Sequence, residues 1–362
     1  MHLPPLDVAV YPVVTMSHGR HGSRSMRRSS AVSSSSSSST GSNHTATGSP
    51  DFSSIQGVIR SVFRSSRITV QQVERLYGRL HQVYLARLTD GSALVLKCSP
   101  TYNTRLLRHE KNGIETERTT LETLREYTQI PVSQVIKYDS QGGVLRSPFL
   151  LTSYIPGRRL SELSAHLSAS ERKNIDRTLG TYMRSLTALS ATQFGMTHRV
   201  FAKKGSSSWR DAFLSLLESV LRDAEDMVVT VPYDSIRYYV QQHSQLLDEV
   251  TEPRLVALHA CDPHNVLIDE QTKQVTGLVG FSNVIWGDPL MGGGVADGSD
   301  AFFEGYGECP SRSAAVKARQ LMYATYRATV QLVSHHYRPH LDIDEMEARR
   351  SLTYALNELA KI

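Results

Sequence analysis

The stretch D-P-H-N-V-L-I-D, residues 262–269, decides how the second half of the chain is interpreted. Its polar start runs into the apolar triplet V-L-I, a polar turn follows at 269–272, and a second apolar run occupies 275–279. Two short apolar runs joined by a polar turn are typical of a β-hairpin. The sequence therefore predicts one hairpin at this point.

The regions on both sides of this hairpin are predicted to be helical. Apolar residues recur every three or four positions in six segments after Gly157, which is the periodicity of amphipathic helices. The predicted helices span residues 160–167, 171–189, 209–226, 235–250, 314–336 and 344–359.

The part of the chain before Gly157 carries more β signals. An alternating run at 82–88, a D-G turn and an apolar run at 93–98 predict a hairpin. A leucine-spaced, charged helix is predicted next, and two strands after it, over residues 106–127, 132–138 and 148–154. We therefore expect an α+β protein with a small β-rich lobe before a larger helical lobe, over residues 51–156 and 157–362.

Length and charge limit the classes of protein that this chain fits. With 362 residues and 40% hydrophobic content, the chain is long enough for a large core. The Ser- and Arg-rich residues 1–50 are predicted to be a disordered tail. This tail has four arginines and one aspartate, so it carries +3 of the net charge of +5. The nearly neutral remainder argues against a dedicated nucleic-acid site, and a nucleic-acid binder that uses the tail stays an alternative.

Cysteine usage and hydropathy bear on location. The three cysteines are widely spaced, which indicates neither a disulfide framework nor a zinc site and favours the cytoplasm. No run of 18 apolar residues occurs, so no membrane span is expected. Because the tail is rich in Arg and Ser and poor in acidic residues, a mitochondrial transit peptide is a second interpretation.

Five strings in a fixed order resemble one family. They are D-G-S-A-L-V-L-K at 90–97, E-R-T-T-L-E-T-L with the I-P-V that follows it at 117–132, L-L-T-S-Y-I-P-G-R-R-L at 150–160, D-P-H-N-V-L-I-D at 262–269 and W-G-D-P at 286–289. Together they are similar to the aminoglycoside phosphotransferase and choline kinase-like branch of the protein-kinase fold, over residues 70–359. The long tail and the spelling of the fourth string look most like fungal members. The resemblance implies a two-lobed kinase-like fold, ATP with Mg²⁺, and a small hydroxylated ligand.

A nucleotide site can be placed on these strings. A lysine at the end of a buried strand, paired with a helix glutamate, would hold its ammonium toward nucleotide phosphates. Lys97 and Glu117 are the predicted pair, with Glu115 as the competing partner. The resemblance implies that the backbone at Ser153, Tyr154 and Ile155 would hydrogen-bond an adenine. The turn that the resemblance expects to cover the phosphates, residues 76–81, has a single glycine, so the sequence does not favour phosphate binding by this turn.

The two carboxylates that the family uses for catalysis are absent at the corresponding positions. The family writes its base in H-G-D-x-x-x-x-N; counted back from Asn265, the base falls at Ala260 and the histidine at Leu258. The metal-binding aspartate falls at Gly280. Neither replacement has a titratable or ligating side chain. The resemblance therefore suggests a pseudokinase or accessory small-molecule-binding protein, with weak or no ATP and Mg²⁺ binding and room for a protein partner.

An active enzyme is the alternative. Asp262 lies two residues after Ala260 and would face the same side of an extended loop. As a displaced base, it would make the chain an ATP-dependent phosphotransferase for a hydroxylated metabolite. Asn265, with Asn283, would then supply weak oxygen ligands for Mg²⁺. In the simpler interpretation, Asp262 only hydrogen-bonds loop backbone.

Overall fold

The structure is a computed structural model, and it describes residues 49–64, 67–339 and 343–362. The tail predicted to be disordered, residues 1–50, lies outside the described residues except for its last two positions. In the described part of the chain, no helix is both long enough and apolar enough to cross a membrane.

The first lobe is built on a five-stranded antiparallel sheet with the order β1-β2-β3-β5-β4. Helix α1 (Phe52–Phe63) packs on one face and α2 (Gly113–Tyr127) lies on the other, as the alternation in β5 indicates. Phe149 and Leu151 belong to the cluster that includes α1, whereas Leu150 packs in the cluster that includes α2. The strands are β1 (Val70–Leu76), β2 (Gln82–Leu88), β3 (Ala93–Cys98), β4 (Val135–Asp139) and β5 (Phe149–Ser153).

The second lobe is mostly helical. Its helices are α3 (Leu160–Leu163), α4 (Ala169–Thr187), α5 (Thr197–Phe201), α6 (Trp209–Asp226), α7 (Tyr233–His243), α8 (Gly293–Ala296), α9 (Asp300–Tyr306), α10 (Ala314–Tyr337) and α11 (Glu345–Leu359). Two small antiparallel sheets, ordered β10-β9-β6 and β7-β11-β8, are embedded among them. Their strands are β6 (Arg158–Arg159), β7 (Gly195–Met196), β8 (Arg254–Ala257), β9 (Val266–Ile268), β10 (Val275–Leu278) and β11 (Val284–Gly287).

The predicted α+β class, with a β-rich lobe before a helical one, is confirmed. The hairpin of β2 and β3 and the helix α6 have the predicted bounds, and β9 and β10 form the predicted second hairpin. The sequence did not reveal β8 and β11, which are four residues each and lack their own turn signals. It also gave no prediction for α1 or β1.

The predicted helix over residues 106–127 is wrong at its start, because α2 begins only at Gly113. The preceding residues form a short 3-10 turn, Arg108–Glu110, that is bound to the second lobe. The backbone N–H and guanidinium of Arg108 both donate to Asp223 on α6. The charged side chain of Arg108 therefore anchors this segment to the other lobe.

Candidate functional site

The Lys97–Glu117 ion pair joins the sheet of the first lobe to helix α2. Lys97 Nζ lies 2.5 Å from both carboxylate oxygens of Glu117, and the two side chains are only 16% and 7% exposed. Glu115, the competing partner, is exposed on α2. Charge-assisted bonds to both oxygens fix the ammonium at the inner face of the sheet.

The segment Ser153–Ile155 follows β5 and connects the lobes. The backbone N–H groups of Ser153 and Tyr154 already donate to carbonyls of the first lobe. The N–H of Ile155 has no acceptor within hydrogen-bond distance among the described residues. The Ile155 side chain packs closely over Gly277 of β10. This segment therefore offers a ligand one backbone donor, at Ile155.

Residues 258–265 form the loop that carries the remaining predicted site residues. Ala260 is fully buried. The Asp262 carboxylate lies 3.1 Å from His259 Nδ1, and both side chains are close to half exposed. Burial raises the pKa of the neighbouring Cys261 thiol to about 12, so this thiol stays protonated near neutral pH. Asp262 is the only carboxylate that this loop presents near its surface.

Asn265 ends this loop and lies against Gly280, the residue that follows β10 by two positions. Its side-chain amide donates to the His259 carbonyl at 2.8 Å. Gly280 has a positive φ of +85°, and a Cβ placed there would lie 2.5–2.7 Å from Asn265 side-chain atoms. The carboxamide of Asn265 thus occupies the space into which a side chain at position 280 would project.

The donors for a divalent metal are few at this point. Asn265 offers one amide oxygen, and Asn283 offers a buried oxygen without a hydrogen-bond partner. The Asp262 carboxylate lies beside His259. No group of three or more His, Cys, Asp or Glu residues that suits a metal occurs in the described part of the chain. Mg²⁺ binds in proteins through one or two carboxylates, and this donor set does not fit that preference.

The β1–β2 turn, residues 77–81, reaches across to the second lobe. The Tyr77 ring stacks on His264 with centroids 5.2 Å apart, and the Arg159 guanidinium lies 5.0 Å from the centroid of Tyr77. At the other end of the turn, His81 is buried near Lys97. Burial, reinforced by the charge of Lys97, lowers the pKa of His81 to about 3.

Sequence reasoning missed the contacts that Tyr77 and Arg159 make across the lobes, and it missed the burial of His81 near Lys97. Arg159 belongs to the string at 150–160 that carries the resemblance, and Tyr77 lies in the turn that has a single glycine. The sequence signal that could have pointed to these contacts is the tyrosine beside the glycine of that turn, at Tyr77–Gly78. A Cβ at Gly78 would lie 2.2 Å from the His81 carbonyl oxygen, so glycine is what allows this turn to close so tightly.

Asp288, the aspartate of W-G-D-P, is buried and hydrogen-bonded on both of its carboxylate oxygens. Its carboxylate accepts from the Leu290 N–H and from the Tyr323 hydroxyl, which in turn accepts from Trp209 Nε1. Desolvation raises its pKa, and Arg319 lies 3.3 Å away. This buried network ties the loop after β11 to α6 and α10.

Solved structures with a similar fold include aminoglycoside phosphotransferases and a putative fructosamine-3-kinase. A thermostable mutant of aminoglycoside phosphotransferase APH(4)-Ia, in a ternary complex with AMP-PNP and hygromycin B, has a TM-score of 0.59 at 16% identity. The comparison covers 84% of this chain and 98% of that one. The putative fructosamine-3-kinase of Thermobifida fusca YX-ER1 also has a TM-score of 0.59, at 15% identity over 85% of this chain and 99% of that one.

A third structure, a putative aminoglycoside phosphotransferase from Ralstonia eutropha JMP134, has a TM-score of 0.57. Its identity is 13%, over 86% of this chain and 98% of that one. At these identities the likeness establishes the fold alone. No curated protein sequence matches the chain. The model of the APH family, described as the phosphotransferase enzyme family, matches residues 73–292, more than half of the chain. The chain therefore belongs to the APH phosphotransferase enzyme family.

Proposed function

We propose that this member of the family binds a small molecule, that it binds a nucleotide without the help of a metal ion, and that it transfers no phosphoryl group. The observation that carries the proposal is the contact between Asn265 and Gly280. Where the family has a metal-binding carboxylate, this chain has a glycine whose side-chain space is filled by a carboxamide. A second support is Ala260, which is buried and has no group to accept a proton.

The size of the catalytic loss supports this proposal. A positioned base contributes roughly 10²- to 10⁴-fold to the rate, and a metal ion adds several kcal/mol of charge stabilisation. The Lys97–Glu117 pair and the free N–H of Ile155 do not replace either contribution. They do suit the binding of a nucleotide, through a phosphate and an adenine edge respectively. A small hydroxylated molecule is the ligand class that the family suggests.

Calorimetric titration with ATP, with and without Mg²⁺, tests this proposal together with an assay for ADP release. We expect any ATP affinity to be the same in MgCl₂ and in EDTA, and to fall about tenfold or more in Lys97→Met. We expect no ADP release above that of Lys97→Met in either buffer. Mg²⁺-dependent ADP release that Lys97→Met abolishes would overturn the proposal.

An active phosphotransferase is the second candidate, and the 3.1 Å contact between Asp262 and His259 favours it. In this mechanism the Asp262 carboxylate takes the proton of the acceptor hydroxyl. The hydroxyl oxygen attacks the γ-phosphorus of ATP, and ADP leaves. His259 would orient the carboxylate as a positioning residue. With an aminoglycoside or ketosamine as acceptor, Asp262→Ala should lower kcat by at least 10²-fold, whereas Glu270→Ala, an exposed neighbour, should not. Equal rates in the two variants would exclude Asp262 as the base.

Location and partners stay predictions from the sequence. The cytoplasm is our first proposal because the cysteines are unpaired, and Cys98 and Cys261 have raised pKa values owing to burial. An accessory role would add a protein partner. Fractionation with an antibody against residues 343–362 would separate a cytoplasmic from a mitochondrial location.

A further inference from the structure

The β1–β2 turn is joined to the second lobe through the side chain of Arg159. This guanidinium donates to the Tyr77 carbonyl at 2.9 Å and also to the His264 carbonyl. It lies 5.0 Å from the centroid of the Tyr77 ring. One arginine on β6 therefore holds a backbone group from each lobe and an aromatic ring from the first.

The Tyr77–His264 stack forms the other half of this junction. The two rings are 5.2 Å apart with an interplanar angle of 24°. Tyr77 is 53% exposed and His264 is exposed as well, so neither ring belongs to the apolar core of its lobe. The junction consists of polar and aromatic contacts that can separate without opening a core.

The turn is close to site residues at both of its ends. His81, at its far end, is buried beside Lys97, and His264, at its near end, adjoins Asn265. The turn thus extends from the Lys97–Glu117 pair to the 258–265 loop.

We propose that residues 77–81 are a strap that closes the cleft between the lobes, and that the contacts of Arg159 hold this strap in its closed position. Release of Arg159 from the two carbonyls frees the Tyr77 ring from His264 and opens the way to Lys97. This gate does not depend on phosphotransfer, since it controls access for a bound ligand and a substrate alike.

Hydrogen–deuterium exchange and lysine labelling test the strap without any ligand. In Arg159→Ala we expect amides of residues 77–83 to exchange about tenfold faster than in the unaltered protein, since a cation–π contact and two hydrogen bonds are lost. Acetylation of the Lys97 amine by an N-hydroxysuccinimide ester should accelerate by a similar factor. Tyr77→Ala, which removes the ring but leaves Arg159 its carbonyl partners, should accelerate both rates by a smaller factor.

Arg158→Ala is the matched control. Arg158 is the neighbouring residue on β6, but it is exposed and pairs with Glu162 and Glu270 rather than with the turn. Arg158→Ala should leave the exchange rate of the turn and the labelling rate of Lys97 unchanged. The exposed Lys361 should be labelled at the same rate in every variant. The proposal is overturned if Arg159→Ala behaves like Arg158→Ala. It is also overturned if the turn exchanges faster while Lys97 labelling stays the same, because the turn would then be mobile without being a gate.

Discussion

Gly280 and Asn265 are in close contact in the structure, although they are distant in the sequence. The backbone of Gly280 lies in the left-handed region, where a residue with a side chain is strained. The missing Cβ also makes room for the Asn265 carboxamide, which in turn holds the His259 carbonyl. Position 280 is therefore a packing site, where an added side chain would have to displace the Asn265 carboxamide.

Gly280→Asp should destabilise the protein by about 3 kcal/mol, because it adds backbone strain of about 1 kcal/mol and displaces the carboxamide from its hydrogen bond. Gly91→Asp is the control, since Gly91 has the same φ of +85° with nothing within 4 Å of a Cβ. It should lose only the backbone contribution. Urea denaturation of both variants measures the difference. Equal losses in the two variants would mean that the Asn265 contact has no energetic weight.

The Lys97–Glu117 pair allows a second prediction at the scale of residues. Lys97→Met leaves the Glu117 carboxylate buried and unpaired, which should lower the free energy of unfolding by about 3 kcal/mol. Adding Glu117→Leu removes the unpaired charge and should recover most of that loss. Denaturant unfolding of the two single variants and the double variant gives the coupling energy. Additive losses would show that the two side chains do not interact.

At the scale of elements, α2 owes its position to the segment before it. The Glu110 carboxylate accepts from the Leu107 N–H and from both terminal nitrogens of Arg338, at the end of α10. Arg338 is buried and also donates to the Arg105 carbonyl. The contacts of Arg338 connect residues more than 200 positions apart, so no local sequence pattern predicts them. The β2–β3 hairpin, whose alternation and turn are local, could be predicted to the residue.

Removing this anchor should loosen the start of α2. Arg338→Met leaves Glu110 without its charged partner in a largely buried setting, and we expect a loss of about 3 kcal/mol with faster amide exchange over residues 105–113. Arg350→Met is the control, because its pair with Glu347 is exposed and should contribute less than about 0.5 kcal/mol. Unchanged exchange at 105–113 in Arg338→Met would show that α2 is positioned by its apolar face alone.

At the scale of the whole molecule, the lobes share a core. The larger apolar cluster includes Leu121 and Leu124 of α2 and Leu150 of β5 together with the helices of the second lobe. The predicted boundary between the lobes lies between residues 156 and 157 of the chain. The apolar cluster contains residues from both sides of this boundary. The sequence indicated which residues are apolar, and it contained the five strings of the family in their order. It did not indicate which lobe each apolar face packs against, because that depends on contacts distant in sequence.

Two buried histidines make the stability of this shared structure depend on pH. Burial lowers the pKa of His81 to about 3 and that of His109 to about 4, from an ordinary 6.5. Lys97 lies near His81, while Asp223, His259 and Arg338 lie near His109. Below pH 6.5 these two histidines bind protons in the unfolded chain but not in the folded protein. The free energy of unfolding therefore falls as the pH falls.

Each histidine should therefore remove about 2 kcal/mol of stability between pH 7.5 and pH 5, at about 1.36 kcal/mol per pH unit. His81→Gln and His109→Gln should each reduce the fall by that amount, whatever their stability at neutral pH. His166→Gln alters an exposed histidine and should leave the fall unchanged. Urea unfolding at both pH values measures the slopes. If His81→Gln and His166→Gln lose the same free energy on acidification, the folded protein admits a proton at His81, and the turn over Lys97 is more open to water than its burial implies.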